Sequence, residues 1–477
     1  MNAISSFAPI LTLSLGSLLY LLFGSIFERR RLAGVVAVLL VAAGAVMTAR
    51  LELAQPQFEH DAVVSMFTQG CGMLACLAAL VSVVAGLSLI RREGITQVSE
   101  YYFLMVTALS GALVMIFASD FLTLFIGLEV ASLALYSLCA AQVDRKASAE
   151  AALKYFLLGC FSSAVFLFGV ALWYGSTGSL QIAWVNEGRV IKDATGMLVL
   201  SYFMILIGLA FKIGLAPFHF WVPDVYQGSP TSVTTFMSCV IKVAALCALL
   251  KICFATFHLP TTWSVAALWV LSVVAMTVGN LSALQQRSVK RLLAYSSVSH
   301  AGYMLMGLVV TQADGEAVAA LLYYLAAYCA MSIGAFAVLG VVGPDADDIQ
   351  SLRGLSRRSP FLAVCMTLFF LALAGLPPSI AGLLGKAFLF SNVVVAEYWG
   401  LAIIAALNSA LACAYYFRIP AAIFFQSADS EEAVRVPSSA VIAISVCALA
   451  VVFLGVFPES VLNYAQDAAT QLVQRTP

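Results

Sequence analysis

The sequence predicts an all-α polytopic membrane protein, and three observations carry that expectation. Of 477 residues, 62% are apolar and only 10% charged, far from the roughly 25% charged residues of soluble globular chains. Mean hydropathy is +1.00. Apolar runs of roughly 18 residues or more follow one another with short polar breaks, each long enough, at about 1.5 Å per residue, to cross a hydrocarbon core of roughly 30 Å.

About fourteen transmembrane helices can be placed in order, at residues 6–27, 33–50, 66–90, 100–118, 120–142, 150–174, 197–221, 232–254, 263–284, 289–311, 316–341, 360–395, 400–426 and 438–460. The longest polar stretches, near 51–63, 175–195, 342–359 and 427–437, are too short to separate soluble domains, so 1–477 is expected as one membrane domain. The N-terminal MNAISSFAPILTLSL lacks the basic region and small-residue cleavage pattern of a signal peptide, and the first helix is expected to be retained.

Helices 7 (GLAFKIGLAPF) and 12 (LALAGLPPSIAGLLGK) are both interrupted by glycine and proline, and each carries one lysine. Interrupted spans at corresponding places in two halves point to an inverted repeat with ion sites near the midplane. The two lie five helices apart, an odd number, so equivalent helices run in opposite directions. Two inverted five-helix repeats are expected, helices 4–8 within 100–255 and helices 9–13 within 263–426. Helices 1–3 in 1–95, and helix 14 with a C-terminal tail in 438–477, flank them.

Formal net charge is zero, which argues against a nucleic-acid partner. Placement says more. Loops on one side carry Arg29, Arg30, Arg31, Arg91, Arg92, Arg145, Lys146, Arg287, Lys290, Arg291, Arg353, Arg357, Arg358 and Arg435, whereas the other side and the termini carry only Arg50, Arg189, Lys192, Lys251 and Arg475. By the positive-inside rule the first set faces the cytoplasm and both termini face outward. The eleven cysteines fall almost entirely inside apolar runs without C-x-x-C spacing, and read as small buried hydrophobes rather than zinc or iron–sulfur ligands.

Six charges remain inside the spans: Lys154, Lys212, Lys242, Lys386, Arg418 and Glu129. A charge at a helix centre costs roughly 2.5–3.5 kcal/mol on insertion scales, so such groups are functional candidates by default. Lys154 lies only a few residues inside helix 6, where it either joins a proton path or snorkels to the interface. Arg418, just before Pro420, reads as an interfacial anchor. Lys212, Lys242, Lys386 and Glu129 sit deep, where a fixed ion-pair network competes with proton movement. A lysine in a dry site holds its proton less firmly, and a nearby carboxylate restores the hold. An approach of Glu129 to Lys212 would therefore retain a proton, and its withdrawal would release it towards Lys242.

Pro217, Pro377 and Pro378 break helices 7 and 12 beside Lys212 and Lys386, opening carbonyls that can hold water. An ordinary dry kink is the alternative. In helix 10, Ser296, His300 and Tyr303 share a stripe at i, i+4 and i+7. They suit a water-linked proton path or, equally, hydrogen bonds between helices. His219 and Asp224, at the exit of helix 7, read as gate or fold elements, and His60 and His258 as loop residues.

The segments GLEVASLALYSL, KYFLLG, FKIGLAPFHFWVPDVYQGSP, VKRLLAYSSVSHAGY and LAGLPPSIAGLLGKAFLF, spread over about 120–395, resemble the antiporter-like subunits of proton-pumping NADH:quinone oxidoreductase, respiratory complex I. Multi-subunit cation/proton antiporters are wider kin. PDVYQG after helix 7, a lysine at 386 and the lack of a long lateral C-terminal helix resemble the N type. GLLGKAF departs from the phenylalanine-rich run usual in relatives. The resemblance implies that Glu129 is the helix 5 carboxylate, Lys212 the helix 7 proton carrier, Lys242 the central helix 8 lysine and Lys386 the helix 12 lysine.

It also implies a subunit of a bacterial inner-membrane assembly that couples electron transfer elsewhere to outward proton pumping. FMN, iron–sulfur clusters and quinone then belong to partner subunits, and the neighbours of this chain are other membrane subunits and the lipid bilayer. No redox centre, cofactor site or metal site is expected in this chain, which has no Rossmann glycine fingerprint. Two other functions fit the residues: a subunit of a gradient-driven cation/proton antiporter, and a structural membrane scaffold with a fixed ion-pair network. Co-isolation with NADH dehydrogenase subunits or with small antiporter subunits separates the first two. Charge-neutralising variants that pump but fail to assemble would favour the scaffold.

Overall fold

A computed structural model describes residues 7–24, 30–51, 64–182, 195–256, 261–310, 315–343, 347–427 and 432–474. His60, Arg189, Lys192 and His258 lie outside the described residues. The fold is all-helical, with α1 Ala8–Gly24, α2 Arg30–Ala49, α3 Met66–Arg92, α4 Val98–Phe117, α5 Phe121–Cys139, α6 Lys146–Thr177 and α7 Thr195–Ile213. Next come α8, in two pieces, Thr231–Met237 and Val240–Thr256, then α9 Thr261–Leu284, α10 Val289–Val310 and α11 Gly315–Val342. α12 is split into Pro360–Ala374 and Ile380–Val395, α13 into Trp399–Tyr416 and Arg418–Phe425, and α14 is Ser438–Val456. Among the described residues, twelve helices are long and apolar enough to cross a membrane; the shorter apolar segments Ala8–Leu22, Pro360–Ala374 and Ile380–Val395 account for helices 1 and 12 of the sequence reading.

Four stretches differ from expectation. Helix 7 does not run to residue 221 but ends at Ile213, where Gly214 takes φ +82° and its N–H and that of Leu215 both reach the Ala210 carbonyl, the left-handed stop that glycine permits. The run after it, expected as a turn, contains a helix, Trp221–Gly228, in which Pro223 is tolerated because the first turn needs no N–H donor. α8 is interrupted at Ser238–Cys239 without any proline or glycine. The expected C-terminal tail is a helix, α15, Pro458–Gln474, packed on α11 and α3. Its buried face is built from Ala465, Ala468 and Ala469, too small to raise the hydropathy to that of a span.

Three features recur at an interval of five helices and support the repeat. Gly375 (φ +80°) ends the first half of α12 with the bond pattern of Gly214, since its N–H and that of Leu376 reach the Leu371 carbonyl. Antiparallel bridges tie Asp120 to Gln181 and Ser288 to Asp348, just before α5 and α10 respectively. Cations on α8 and α13 then cap the ends of α4 and α9. Lys251 Nζ donates to the carbonyls of Ile116 (2.8 Å) and Ala118 (2.7 Å), and Arg418 donates to that of Leu284 (2.9 Å), where free carbonyls and the helix dipole favour positive charge. Lys251 is therefore a helix cap rather than a loop charge, and Arg418 is a cap too.

The core lies where α8, α10 and α11 meet, since these three are buried almost completely, as expected of helices that are apolar all round. α10 is held tightly to α9: a Cβ at Gly302 would stand 2.7 Å from the Met276 backbone nitrogen. That close approach fixes the rotation of α10 and with it the direction of His300.

Candidate functional site

Glu129, Ser132 and Tyr136 lie on one stripe of α5 at i, i+3 and i+7. Lys212, one residue before the end of α7, reaches across to it, donating to Ser132 Oγ (2.7 Å) and Tyr136 OH (3.1 Å). The ammonium also lies 5.4 Å from the Tyr136 ring centroid and 5.9 Å from that of Tyr155, within the range of cation–π attraction. Ser132 Oγ in turn donates to the Leu128 carbonyl (2.5 Å). Glu129 does not touch the lysine: its carboxylate accepts a hydrogen bond from Ser163 of α6. The expected approach of Glu129 to Lys212 is thus absent as an ion pair, and two hydroxyls hold the cation.

Lys242, fully enclosed on α8, donates to the Ser297 carbonyl (2.8 Å), Ser297 Oγ (2.5 Å) and Tyr328 OH (3.5 Å). Tyr328 is shared. Its ring centroid is 4.7 Å from the lysine nitrogen and 5.3 Å from the His300 ring centroid. His300 is clasped between two tyrosines, with Nδ1 2.6 Å from Tyr324 OH and Nε2 2.9 Å from Tyr416 OH. A neutral imidazole has one donor and one acceptor nitrogen, so the two hydroxyls must take opposite roles. Ser296 Oγ, 2.5 Å from Tyr416 OH, extends this chain. Tyr303, the third residue of the expected stripe, takes another direction: its ring centroid lies 5.2 Å from Lys386 Nζ.

Lys386 sits at the break in α12. Its ammonium donates to the Ala374 carbonyl (2.8 Å), left free where the first half-helix stops, and to Ser409 Oγ (3.2 Å). Pro377 and Pro378 lie in the segment between the half-helices of α12, and Pro217 in the segment after α7 ends. Lys212 and Lys386 use them differently, one placed before its break and the other after.

Lys154 belongs to a different group. Its half-exposed ammonium pairs with Glu150 (2.7 Å) and Asp224 (2.8 Å), and Asp224 also pairs with Arg291 (2.6 Å). Asp224 thereby joins α6 to α10. Burial pushes its carboxyl up, but hydrogen bonds from Lys154 and Arg291 outweigh this and hold it below the ordinary carboxylate range. Burial likewise holds the His219 imidazole below its ordinary range. The pairs are partly solvated, so Asp224→Asn is expected to cost under about 1 kcal/mol. A carboxyl depressed in the fold stabilises above its unfolded pKa, near 3.9, and loses that advantage as pH falls through the folded value. Thermal midpoints of the wild type and Asp224→Asn should differ slightly at neutral pH and converge below about pH 4.

The partners Ser132, Tyr136, Ser163, Ser297, Tyr324, Tyr328, Tyr416 and Ser409 were not singled out by sequence reading. The α5 stripe carried a signal, the seven-residue span from Glu129 to Tyr136; the tyrosines of α11 and α13 look like core aromatics until the helices meet. Among the described residues no group of three histidine, cysteine or acidic side chains is arranged to hold a metal ion.

An all-helical membrane bundle with interrupted spans and enclosed lysines defines a translocating membrane subunit of the antiporter-like class. A family model described as NADH:quinone oxidoreductase/Mrp antiporter, TM, matches residues 118–412. NADH-quinone oxidoreductase subunit N of Trichlorobacter lovleyi is 39% identical over 418 residues, covering 86% of this chain and 85% of that protein. That of Mycobacterium tuberculosis is 39% identical over 393 residues, covering 80% and 73%. A chain of respiratory complex I from Thermus thermophilus, solved with bound aureothin, superposes with a TM-score of 0.81 at 34% identity, covering 95% of this chain and 98% of that one. A chain of the Mrp complex from Dietzia sp. DQ12-45-1b, at 20% identity and TM-score 0.84 over 99% and 98%, shares the fold. The chain belongs to the subunit N family of the NADH-quinone oxidoreductases.

Proposed function

We propose that this chain translocates protons through Lys212, Lys242, His300 and Lys386, with Glu129 modulating Lys212 from α5. The observation that carries this reading is that Lys212, Lys242 and Lys386 are enclosed, each held by hydroxyls or carbonyls and none within ion-pair reach of a carboxylate among the described residues. A fixed ion-pair scaffold would neutralise such charges, because an unpaired buried charge is expensive. Hydroxyls can accept or return a proton, so the same contacts that hold each ammonium also connect it.

In this reading Lys242, Tyr328, His300, Tyr416, Ser296 and Lys386 form the second half of the path, and Lys212 with Ser132 and Tyr136 the first. Lys154, paired outside this set, takes no part. The basic loops face the cytoplasm of a bacterial inner membrane, both termini face the periplasm, and protons move outward. FMN, iron–sulfur clusters and quinone reside in partner subunits, with which this chain assembles through its apolar flanks.

Lys242→Met tests the reading. In membrane vesicles with the assembled enzyme, NADH-driven proton uptake should fall at least about tenfold, while NADH–ferricyanide electron transfer, which needs only the redox subunits, stays unchanged. Full uptake in that variant would sink the proposal. Recovery of the chain with cation-antiporter subunits, instead of NADH dehydrogenase subunits, would favour the antiporter reading.

A further inference from the structure

Lys212 and Lys242 share no hydrogen-bond partner among the described residues. A second route ends at Lys242. Glu93, at the end of α3 on the side of the basic loops, is only 7% exposed. Its carboxylate accepts hydrogen bonds from Ser232 N (3.1 Å) and Ser232 Oγ (2.5 Å) at the start of α8. Lys290 is 3% exposed and donates to the Ser229 carbonyl (3.1 Å), three residues from Ser232, with Glu93 and Asp347 as the acids facing it. The sequence reading placed Lys290 among exposed loop charges; it is enclosed instead, because α10 begins at Val289 and carries it inside.

Two buried hydroxyls in this cluster make no hydrogen bond of full geometry: Tyr101 OH, beside Glu93 and Ser232, and Ser229 Oγ, beside Cys139. Buried polar atoms of this kind are ordinarily satisfied by internal water, which needs polar neighbours such as those present here. From Ser232 a hydroxylated stripe climbs α8 through Thr235 and Ser238 to Lys242, at steps of three, three and four residues, about 15 Å in all. All are buried. Thr235 Oγ1 donates to the Thr231 carbonyl (2.7 Å) and Ser238 Oγ to that of Thr235 (3.0 Å), at the place where α8 is interrupted. Each hydroxyl keeps lone pairs that can accept from water.

We propose that Glu93, with Lys290 opposite it, is a proton-loading site that supplies Lys242 along this stripe. The carboxylate takes a proton from water at the basic-loop side and gives it up along water and hydroxyl to Lys242, whose amine accepts it once its former proton has left towards His300. No electron moves. The inference rests on the proton-translocating reading of Lys242.

Glu93→Gln keeps an oxygen to accept from Ser232 but cannot carry a proton, and Thr235→Val with Ser238→Ala removes the stripe without touching Glu93. In the assembled enzyme in membrane vesicles, either change should lower NADH-driven proton uptake about tenfold at unchanged NADH–ferricyanide activity, with Glu93→Asp restoring most of it. Wild-type uptake in both, beside a dead Lys242→Met, overturns the loading site and leaves the relay standing. Loss of uptake only in proportion to assembled enzyme reduces Glu93 to a structural clamp and also overturns it. If Glu93→Gln does not assemble, the double variant decides alone. Full uptake in Lys242→Met removes the relay reading, and the loading site with it.

Discussion

Lys212→Met in the assembled enzyme is expected to lower NADH-driven proton uptake at least about tenfold without reducing the thermal stability of the complex. The two halves of this expectation have opposite causes. Stability holds or rises because methionine fills a similar volume and removes an ammonium whose burial costs roughly 2.5–3.5 kcal/mol on insertion scales. Neither partner is stranded: Ser132 already donates to Leu128, which leaves its oxygen free to accept from the neighbouring Tyr136 hydroxyl. Function fails because no other group at that position can bind a proton.

Lys212→Arg separates proton transfer from fixed charge. Guanidinium keeps the positive charge and donates to the same hydroxyls, but it does not deprotonate in proteins. A relay therefore stops with arginine as surely as with methionine, whereas a structural cation tolerates it. Wild-type uptake in Lys212→Arg would end the relay interpretation. Glu129→Gln should act more mildly, since the carboxylate bonds Ser163 and not the lysine.

Most spans and the interruptions near GLAP and GLPP were legible in the sequence because they depend on local chemistry; the break in α8, which has no proline or glycine, was not. Uninterrupted apolar runs make spans, and GLAP and GLPP stop them for reasons of backbone geometry alone. The deep lysines were legible for the same reason: a charge is conspicuous in an apolar run. What surrounds them was not, because Tyr324, Tyr328 and Tyr416 come from helices distant in the chain and differ from core aromatics only in where their hydroxyls end. Charges at span edges misled in the other direction. Lys251 and Lys290 flank apolar runs and look solvated, yet each is drawn inside by a neighbouring helix end whose carbonyls need a donor.

Gly382→Ala is expected to abolish proton uptake as fully as loss of Lys386, although it leaves every titratable group in place. A Cβ at 382 would stand 1.7 Å from the Ala372 carbonyl oxygen and 2.8 Å from its carbon. Both atoms are backbone, so no side chain can turn aside and the half-helices of α12 must part. Lys386 lies one turn beyond, its ammonium 2.8 Å from the Ala374 carbonyl, and a displacement of about 1 Å takes that bond beyond the range in which it retains strength. Gly385→Ala should be gentler, because its Cβ meets a side chain, the Tyr324 ring at 2.4 Å, rather than backbone, and Gly400→Ala should be silent, with nothing within 4 Å. Uptake and thermal midpoints measured across the three should fall in that order. A functional Gly382→Ala enzyme would mean that the half-helices of α12 are free to separate without cost, and that the free carbonyl of Ala374 is not what holds Lys386 in the path.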